Sequence, residues 1–454
     1  MADQEENSLG GRLRRYARVS GTMSGLAARL AGERYLGVKI DRDKHSRDLK
    51  DALGGLKGPL MKVAQILSTI PEALPKEYAD ELRHLQANAP PMGWPFVKRR
   101  MRAELGPDWE KKLKDFSREA AAAASLGQVH KAYGPDGALL ACKLQYPDMQ
   151  SAVEADLKQL KMVFGIFERY DKAVSTKQIH LEISDRLREE LDYEREARAC
   201  RLYADILADE PNIHVPTVVP ELSTRRLLTS HWLEGKPILD YVDADLEVRN
   251  QLALNMFRAW YVPLYYYGVI HGDPHLGNYT VCEDHSINLL DFGCIRVFPS
   301  PFVGGVIDLY HSLLNGDEAL AVHAYETWGF KNLSKDLVDT LNVWANFIYA
   351  PILDDRPRTM GETNNGIYGR ETAETVHKKL REVGGVEVPR EFVFMDRAAL
   401  GLGSVFIHLK AEVNWYRLFN ELIEGFDVDS LADRQAAKLS QYGFGEAGIS
   451  VAAA

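Results

Sequence analysis

Two short polar segments near the middle of the chain constrain its fold more than any other feature. The first runs from residue 271 to 278 (His-Gly-Asp-Pro-His-Leu-Gly-Asn) and the second is Asp291-Phe292-Gly293. The residues between them predict a β-hairpin, because two short apolar strands flank a polar turn at 283–286. Such a hairpin returns Asp291 to the side of Asn278, so polar groups that are distant in sequence are predicted to meet.

The spacing of these groups is that of the catalytic Asp, the metal-binding Asn and the metal-binding Asp of protein kinases. Asp273 stands five residues before Asn278, and Asp291 follows Asn278 by thirteen. Asp273 would then receive the substrate hydroxyl, while Asn278 and Asp291 supply hard oxygen ligands to Mg²⁺ on the phosphates of ATP. The sequence therefore predicts a phosphoryl-transfer site that uses ATP and Mg²⁺.

A second group of candidate residues lies upstream, in an alanine-rich segment and the strand that follows it. Ala122, Ala123, Ala124 and Ser125 stand where kinases have a glycine-rich turn over the phosphates, and Lys143 stands where they have a phosphate-contacting lysine. Because alanine carries a Cβ, this loop is expected to hold the nucleotide differently. The alternative is a run of helix-forming alanines and an exposed strand lysine.

Two further positions complete the predicted nucleotide site. Ile179, Ile183 and Leu187 are spaced by four, which predicts one face of a helix, and this core-facing stripe continues to Glu190. A carboxylate on such a stripe needs a cation. Lys143 is its predicted partner, and a solvated charge cluster is the alternative. A strand that runs into a glycine at 235 resembles a kinase hinge, so backbone groups near Trp232, Leu233 and Glu234 are predicted to contact adenine.

Composition narrows the class of protein. The chain has 454 residues, of which 46% are hydrophobic and 26% charged, which is typical of a globular protein with more than one domain. A formal net charge of -10 argues against nucleic acid as a partner, because phosphate backbones favour a basic face. Four cysteines without a C-x-x-C pair indicate neither a zinc site nor a disulfide framework. With no secretory signal and no span of roughly 20 apolar residues, we expect a cytoplasmic protein.

The segment 10–34 is an exception to the acidic composition. It contains six arginines and a single acid, Glu33. Apolar residues between the arginines would let this segment lie on an anionic lipid surface. A solvated arm that packs on the main body is the alternative. Peripheral binding to an anionic membrane is therefore an expectation from sequence.

In combination, these motifs resemble the UbiB family of atypical kinases, also called the AarF-domain family. The matching positions run in the family's order along the chain: Lys62-Val63-Ala64-Gln65 for the K-x-G-Q motif, Ala122-Ala123-Ala124-Ser125, Lys143, Glu190-Leu191-Asp192-Tyr193 with Glu196-Ala197, His271-Gly272-Asp273 with Asn278, and Asp291-Phe292-Gly293. Ala64 departs from the family pattern, which has Gly there. The segments 105–109 and 145–147 are most similar to the coenzyme Q biosynthesis kinase branch.

The resemblance implies an α+β, protein-kinase-like two-lobed fold. Its parts would be a helical N-terminal extension at 1–105, an N-lobe with a helical insert at 106–235, and a mostly helical C-lobe at 236–454. It also implies an atypical kinase or ATPase that binds Mg-ATP and supports ubiquinone biosynthesis, with quinone-synthesis enzymes or lipid intermediates as partners. Lys62, Gln65 and Glu196 would then lie near the phosphates, Lys62 with a catalytic role.

The residues after Gly293 indicate which kind of phosphoryl acceptor the site can use. No Ala-Pro-Glu and no long activation segment follow, and the residue directly before Asp273 is Gly272 instead of Arg. A peptide substrate would therefore lack its usual platform. We therefore expect a small or lipid-like acceptor. Two alternatives stay open. One is a small-molecule phosphotransferase of the aminoglycoside-kinase type, which shares the H-G-D-x-x-x-x-N loop, and the other is a low-turnover, nucleotide-sensing scaffold for quinone-synthesis enzymes.

Overall fold

The computed structural model describes residues 92–445, apart from 125, 156, 159–160, 162–175, 274, 363–375, 377–378 and 380–388. The predictions on Lys62, Gln65, Ser125 and the basic segment 10–34 therefore lie outside the described residues. The described chain forms two compact units. Residues 92–137 and 142–191 belong to the first unit, and residues 138–141 and 192–445 belong to the second.

The first unit combines an antiparallel sheet with helices. Its elements are α1 (Trp94–Leu105), β1 (Asp115–Ala124), β2 (Gly127–Tyr133), β3 (Leu139–Gln145, whose first three residues are counted with the second unit) and α2 (Thr176–Glu189). Ile183 and Leu187, four residues apart on α2, are fully buried in a small apolar cluster with Val153. This spacing places them on one face of the helix, as their sequence periodicity predicts.

The alanine-rich segment is a strand and not a loop. Ala122, Ala123 and Ala124 all pair with β2, so β1 continues to Ala124. Shifts of register on either side of Ala120 mark irregular pairing. Antiparallel pairing satisfies the backbone polar groups of these residues, and this outweighs the helix propensity of alanine. The predicted alanine loop is corrected to the end of a β-hairpin, and its contact with nucleotide stays a prediction.

The second unit is mostly helical. Its helices are α3 (Tyr193–Ile206), α4 (Leu246–Tyr267), α5 (Ser300–Asn315), α6 (Glu318–Thr327), α7 (Lys335–Tyr349), α8 (Arg390–Leu409), α9 (Trp415–Ile423) and α10 (Val428–Gln441). Its strands are β4 (Ile213–His214), β5 (Leu227–His231), β6 (Lys236–Pro237), β7 (Val269–His271), β8 (Tyr279–Val281), β9 (Ile287–Leu289), β10 (Ile295–Val297), β11 (Arg358–Thr359) and β12 (Glu412–Val413). Helix α4 is the centre of the large apolar core, with Trp260 only 1% exposed. Helix α4 continues past Pro263 and ends at Gly268.

Two small strand pairings place the predicted site residues. β8 and β9 form the predicted antiparallel hairpin, inside a sheet of order β4-β9-β8-β6. β7 pairs antiparallel with β10, with His271 opposite Ile295. The loop that contains Asp273 follows β7, and the loop that contains Asp291 precedes β10. Both loops therefore leave the same end of one strand pair.

The boundary between the units falls between Leu191 and Asp192, whereas the N-lobe is predicted from sequence to end near residue 235. Helix α3 is counted with the second unit because it packs there, with the ring of Tyr203 5.3 Å from that of Phe292. The predicted lobes stay a prediction. Among the helices that the structure describes, none is long and apolar enough to cross a membrane.

Candidate active site

His271 joins the two loops that carry the predicted catalytic and metal-binding residues. Its side chain is buried, and Nε2 is hydrogen-bonded to the backbone carbonyl of Asp291. Because a carbonyl only accepts, Nε2 carries the proton, and Nδ1 accepts from the backbone N–H of Asp273 at 3.4 Å. One neutral imidazole therefore fixes the backbone of Asp273 relative to that of Asp291.

The loop after β7 is closed by two hydrogen bonds to a single carbonyl. Nδ2 of Asn278 and the hydroxyl of Tyr279 donate to the backbone oxygen of Asp273 over 3.2 and 3.3 Å. Burial, followed by the charge of Asp273, holds the pKa of Tyr279 well above its usual value. The Tyr279 hydroxyl therefore stays a donor at neutral pH. The half-buried carboxylate of Asp273 is thus carried on a loop with a fixed backbone.

Asp291 turns back on its own loop and lies beside Glu196. Oδ1 of Asp291 accepts a hydrogen bond from the backbone N–H of Gly293 at 2.9 Å. A Cβ placed on Gly293 would lie 3.3 Å from this oxygen and 3.7 Å from Oε2 of Glu196. Glu196 is buried in the first turn of α3, which is capped by the Asp192 side chain. The structure therefore brings Glu196 to the Asp-Phe-Gly segment.

Four aromatic rings surround the imidazole of His271. The ring centroids of Tyr203, Trp260, Tyr279 and Phe292 lie 5.7 to 6.2 Å from that of His271. All four side chains are at most 2% exposed. Close packing of this kind leaves a side chain little freedom to rotate. The aromatic residues thereby hold the imidazole in the orientation that bridges the two loops.

The predicted hinge is held by a buried amide. Nδ2 of Asn288, which is 1% exposed, donates to the backbone oxygen of Glu234 at 3.0 Å and to Oγ1 of Thr280 at 2.9 Å. Oδ1 of Asn288 accepts from the Cys282 thiol. A Cβ on Gly235 would lie 2.6 Å from Oγ1 of Thr280, so only glycine fits this approach. The carbonyl of Glu234 is thus directed to the β8–β9 hairpin.

Asn288→Ala is expected to weaken the binding of adenine nucleotides without weakening the binding of inorganic triphosphate. Loss of this amide frees the Glu234 carbonyl and lets the hinge backbone move, which should raise the ATP dissociation constant roughly three- to tenfold, the equivalent of one hydrogen bond. Binding titrations with ATP and with inorganic triphosphate measure the difference. Asn346→Ala, at an exposed asparagine on α7, is the control. Equal weakening of both ligands would contradict a role of Asn288 at the hinge.

Lys143 and Glu190 are both half-buried residues of the first unit. Lys143 lies on β3, and Glu190 follows α2 directly. Gln145, at the end of β3, is 2% exposed, and its Nε2 donates to the backbone oxygen of Leu191 at 3.1 Å. This bond ties the strand that carries Lys143 to the residue after Glu190. Each of the two residues makes a polar or electrostatic interaction, and the pairing of Lys143 with Glu190 stays a prediction.

The residues predicted to bind Mg²⁺ have suitable chemistry. Asn278 uses Nδ2 for the Asp273 carbonyl, so Oδ1 is the atom of this amide that can coordinate a cation. Asp291 supplies a carboxylate, and both side chains are half-buried. Mg²⁺ in nucleotide-dependent enzymes is usually held by one or two such protein groups together with phosphate oxygens and water. The pair formed by Asn278 and Asp291 therefore fits a Mg-nucleotide site.

Three contributors to the site are not identified by the sequence analysis. They are the bridging role of His271, the donor Tyr279 and the hinge anchor Asn288. His271 was within the recognised motif, and a polar residue that ends an apolar strand could have marked it. Asn288 stands alone in the apolar strand Ile287–Leu289, which is a weak signal for a buried hydrogen bond. Tyr279 has no distinguishing signal in the sequence.

Comparison with known proteins shows that the chain is similar to the members of one family. The family model described as "ABC1 atypical kinase-like domain" matches residues 84–325. The chain is 32% identical over 250 residues to the mitochondrial atypical kinase COQ8 of Saccharomyces cerevisiae, an alignment that covers 55% of this chain and 50% of the relative. It is 34% identical over 218 residues to the mitochondrial atypical kinase COQ8B of Danio rerio, covering 48% of this chain and 35% of the relative.

Other matches extend over more of the chain. The chloroplastic protein ACTIVITY OF BC1 COMPLEX KINASE 3 of Arabidopsis thaliana is 29% identical over 332 residues, which cover 72% of this chain and 46% of the relative. The chain thus spans half or less of the length of these curated relatives. A solved Mycobacterium tuberculosis structure, described as a complex with erythromycin, has a TM-score of 0.59 and 27% identity, and covers 84% of this chain and 96% of that one.

Proposed function

Because the chain belongs to the family of ABC1 atypical kinase-like domains, we propose that it binds Mg-ATP and transfers the terminal phosphoryl group to a small or lipid-like acceptor, or to water. Family membership confirms the predicted resemblance and the kinase-like α+β fold, and it supports the proposal of a kinase-type enzyme. The observation that carries the proposal is the single imidazole of His271, which holds the loops of Asp273 and Asp291 together.

Asp273 is proposed to receive the proton of the attacking hydroxyl. Its carboxylate is half-buried, and its backbone is fixed by His271, Asn278 and Tyr279. A positioned base of this kind contributes about 10² to 10⁴ in rate. Positioning and charge stabilisation supply most of the catalysis in phosphoryl transfer, which matches a site whose backbone is held by several hydrogen bonds.

Asn278 and Asp291 are proposed to hold Mg²⁺ on the phosphates. Bound there, the cation would neutralise charge that develops on the phosphoryl oxygens. Glu196, buried beside Gly293, is proposed to act close to the same phosphates. Lys143 is proposed to contact phosphate, with Glu190 as its orienting partner. Lys62 and Gln65, outside the described residues, are proposed to act on the phosphates as the family motif implies.

The remaining nucleotide contacts are proposed from position in the chain. Backbone groups of Trp232, Leu233 and Glu234 would contact adenine, and Ala122, Ala123, Ala124 and Ser125 would cover the phosphates. The Glu234 carbonyl is already bonded to Asn288, and the Trp232 N–H donates to the Leu139 carbonyl at 2.9 Å. We therefore assign adenine contacts to the remaining backbone groups of this segment. That assignment refines the sequence prediction for Glu234.

The cellular role is proposed to be support of ubiquinone biosynthesis, with quinone-synthesis enzymes or lipid intermediates as partners. Two of the named relatives are mitochondrial atypical kinases of the COQ8 type, and the motif resemblance points to the coenzyme Q branch. The basic segment 10–34 is proposed to bring the chain to an anionic membrane surface. A cytoplasmic location with peripheral membrane binding stays the proposal for this chain.

ATP consumption by the purified full chain tests the proposal. We expect Mg²⁺-dependent turnover that rises with anionic liposomes at low ionic strength and with phenolic mimics of quinone precursors. Generic peptides should stay unphosphorylated, because the sequence after Gly293 lacks an activation segment. Absence of Mg-ATP binding would reject the proposal. Binding with negligible turnover under all these conditions would favour the alternative, a nucleotide-sensing scaffold.

A further inference from the structure

Helix α3 makes hydrogen bonds and ring contacts with residues at the C-terminal end of the described chain. Asp205, in the last turn of α3, accepts hydrogen bonds at Oδ2 from Nζ of Lys438 and from the Tyr442 hydroxyl, the latter at 3.0 Å. The hydrogen bond from Lys438 lowers the pKa of Asp205, so this carboxylate is charged at neutral pH. The C-terminal end of α3 is therefore joined to α10 by a charge-assisted contact.

A second contact lies nearer to Glu196. The guanidinium groups of Arg195 and Arg198 each lie 5.9 Å from the ring centroid of Phe444. Arg198 also approaches the chain at Gly443, where a Cβ would lie 3.6 Å from its Cδ. Arg195 and Arg198 flank Glu196 within one turn of the helix. Phe444 thus packs against the arginine side chains of the turn that carries the buried acid.

Helix α10 is itself fixed to the strand pair that carries both site loops. Gln435, only 5% exposed, donates through Nε2 to the backbone oxygens of Tyr267 at 2.9 Å and of Phe298 at 2.8 Å. These two carbonyls lie close before β7 and directly after β10. A Cβ on Gly268 would lie 2.1 Å from this amide, so glycine is required for the approach. Gln435 therefore connects α10 to the end of the β7–β10 strand pair that lies opposite the two site loops.

We infer that residues 428–444, the C-terminal segment, hold α3 so that Glu196 stays beside Asp291 and Gly293. The inference rests on the proposed function and makes Phe444 and Lys438 positioning residues. In protein kinases, movement of a helix that carries an acid of the active site switches activity. Here the same C-terminal segment contacts α3 and the strand pair below the two site loops. The contacts at Asp205, Phe444 and Gln435 connect α3 and the β7–β10 strand pair to one common element.

Hydrogen–deuterium exchange tests the contact without reference to activity. In the full chain, Lys438→Met combined with Phe444→Ala should speed amide exchange in α3 about tenfold, because local opening becomes easier when packing and hydrogen bonds are removed. Phe444→Tyr keeps the ring and should exchange like the wild type. Asp433→Asn, at an exposed residue of α10, is the control for loss of one charge. Unchanged exchange of α3 in the double variant would overturn the inference.

A double-mutant cycle tests the positioning of Glu196. Phe444→Ala should lower kcat for ATP turnover about tenfold in the wild-type background and less than about twofold in a Glu196→Gln background, because the two changes would act through the same carboxylate. Equal losses in both backgrounds would show a general loss of structure and overturn the positioning role. If the wild type turns over no ATP, the proposed function fails, and the exchange experiment alone still decides whether the C-terminal segment holds α3.

Discussion

Replacing Asp291 with alanine is expected to lower ATP turnover about 10³-fold and to remove the stabilisation of the fold by Mg-ATP. The carboxylate is the only charged group in the proposed Mg²⁺ pair with Asn278, and a bound cation contributes several kcal/mol of transition-state stabilisation. For the wild type, a hundredfold excess of ligand over its dissociation constant adds about 2.7 kcal/mol. Thermal unfolding with and without Mg-ATP measures the loss.

Glu283→Gln is the matched control for the Asp291 variant. Glu283 is an exposed acid at the tip of the hairpin that leads to Asp291, and its replacement should leave the thermal shift and the turnover unchanged. An Asp291→Ala protein that keeps the full Mg-ATP shift would contradict the metal assignment. If Asp291→Ala lowers the unfolding temperature without ligand, Asp291 has a structural role. The thermal unfolding midpoint without ligand is therefore recorded for each protein.

Asp273→Asn is expected to lower ATP turnover by about 10² to 10⁴ while nucleotide binding persists. The substitution removes the proposed base but keeps the shape of the side chain, and the loop is held through the backbone of Asp273 by His271, Asn278 and Tyr279. Single-turnover rates and the Mg-ATP thermal shift separate the two effects. Replacing a metal ligand would abolish both the turnover and the Mg-ATP thermal shift. The pair of measurements therefore distinguishes the role of Asp273 from that of Asp291.

Two outcomes would contradict the role of Asp273 as the base. Full turnover by Asp273→Asn would assign proton transfer to another group. Loss of the Mg-ATP shift together with turnover would place Asp273 among the metal ligands. Asp284→Asn, in the exposed turn of the β8–β9 hairpin, is the control for an acid-to-amide change, and it should alter neither measurement.

Much of the fold was predictable because local signals were strong. The hairpin between Asn278 and Asp291 follows from two apolar runs around a polar turn, and the structure confirms it as β8 and β9. The stripe containing Ile183 and Leu187 is confirmed as a buried face of α2. The alanine segment was misjudged as a loop, because its strand character comes from pairing with β2, and pairing partners are not encoded in local composition.

Long-range hydrogen bonds explain what the sequence analysis missed at the site. Asn288 bonds to Glu234 across 54 positions of sequence, and His271 bonds to Asp291 across 20. No periodicity or spacing rule reports such a pair, since its geometry depends on where the strands of different segments meet. Gly235 is likewise required by the approach of Thr280, whereas its sequence context indicates only that a strand ends at a hinge-like segment.

The sequence by itself predicts the type of chemistry, because Asp273, Asn278 and Asp291 carry functional groups whose order and spacing are read directly from the chain. It also determined the family, since the motifs occur in order over more than two hundred residues. Only the tertiary structure decided that one neutral imidazole joins the two loops, that Glu196 lies beside Gly293, and that α3 and the β7–β10 strand pair contact a C-terminal helix. These arrangements depend on packing between segments that are far apart in the chain, and packing is set by the whole fold and not by any local pattern.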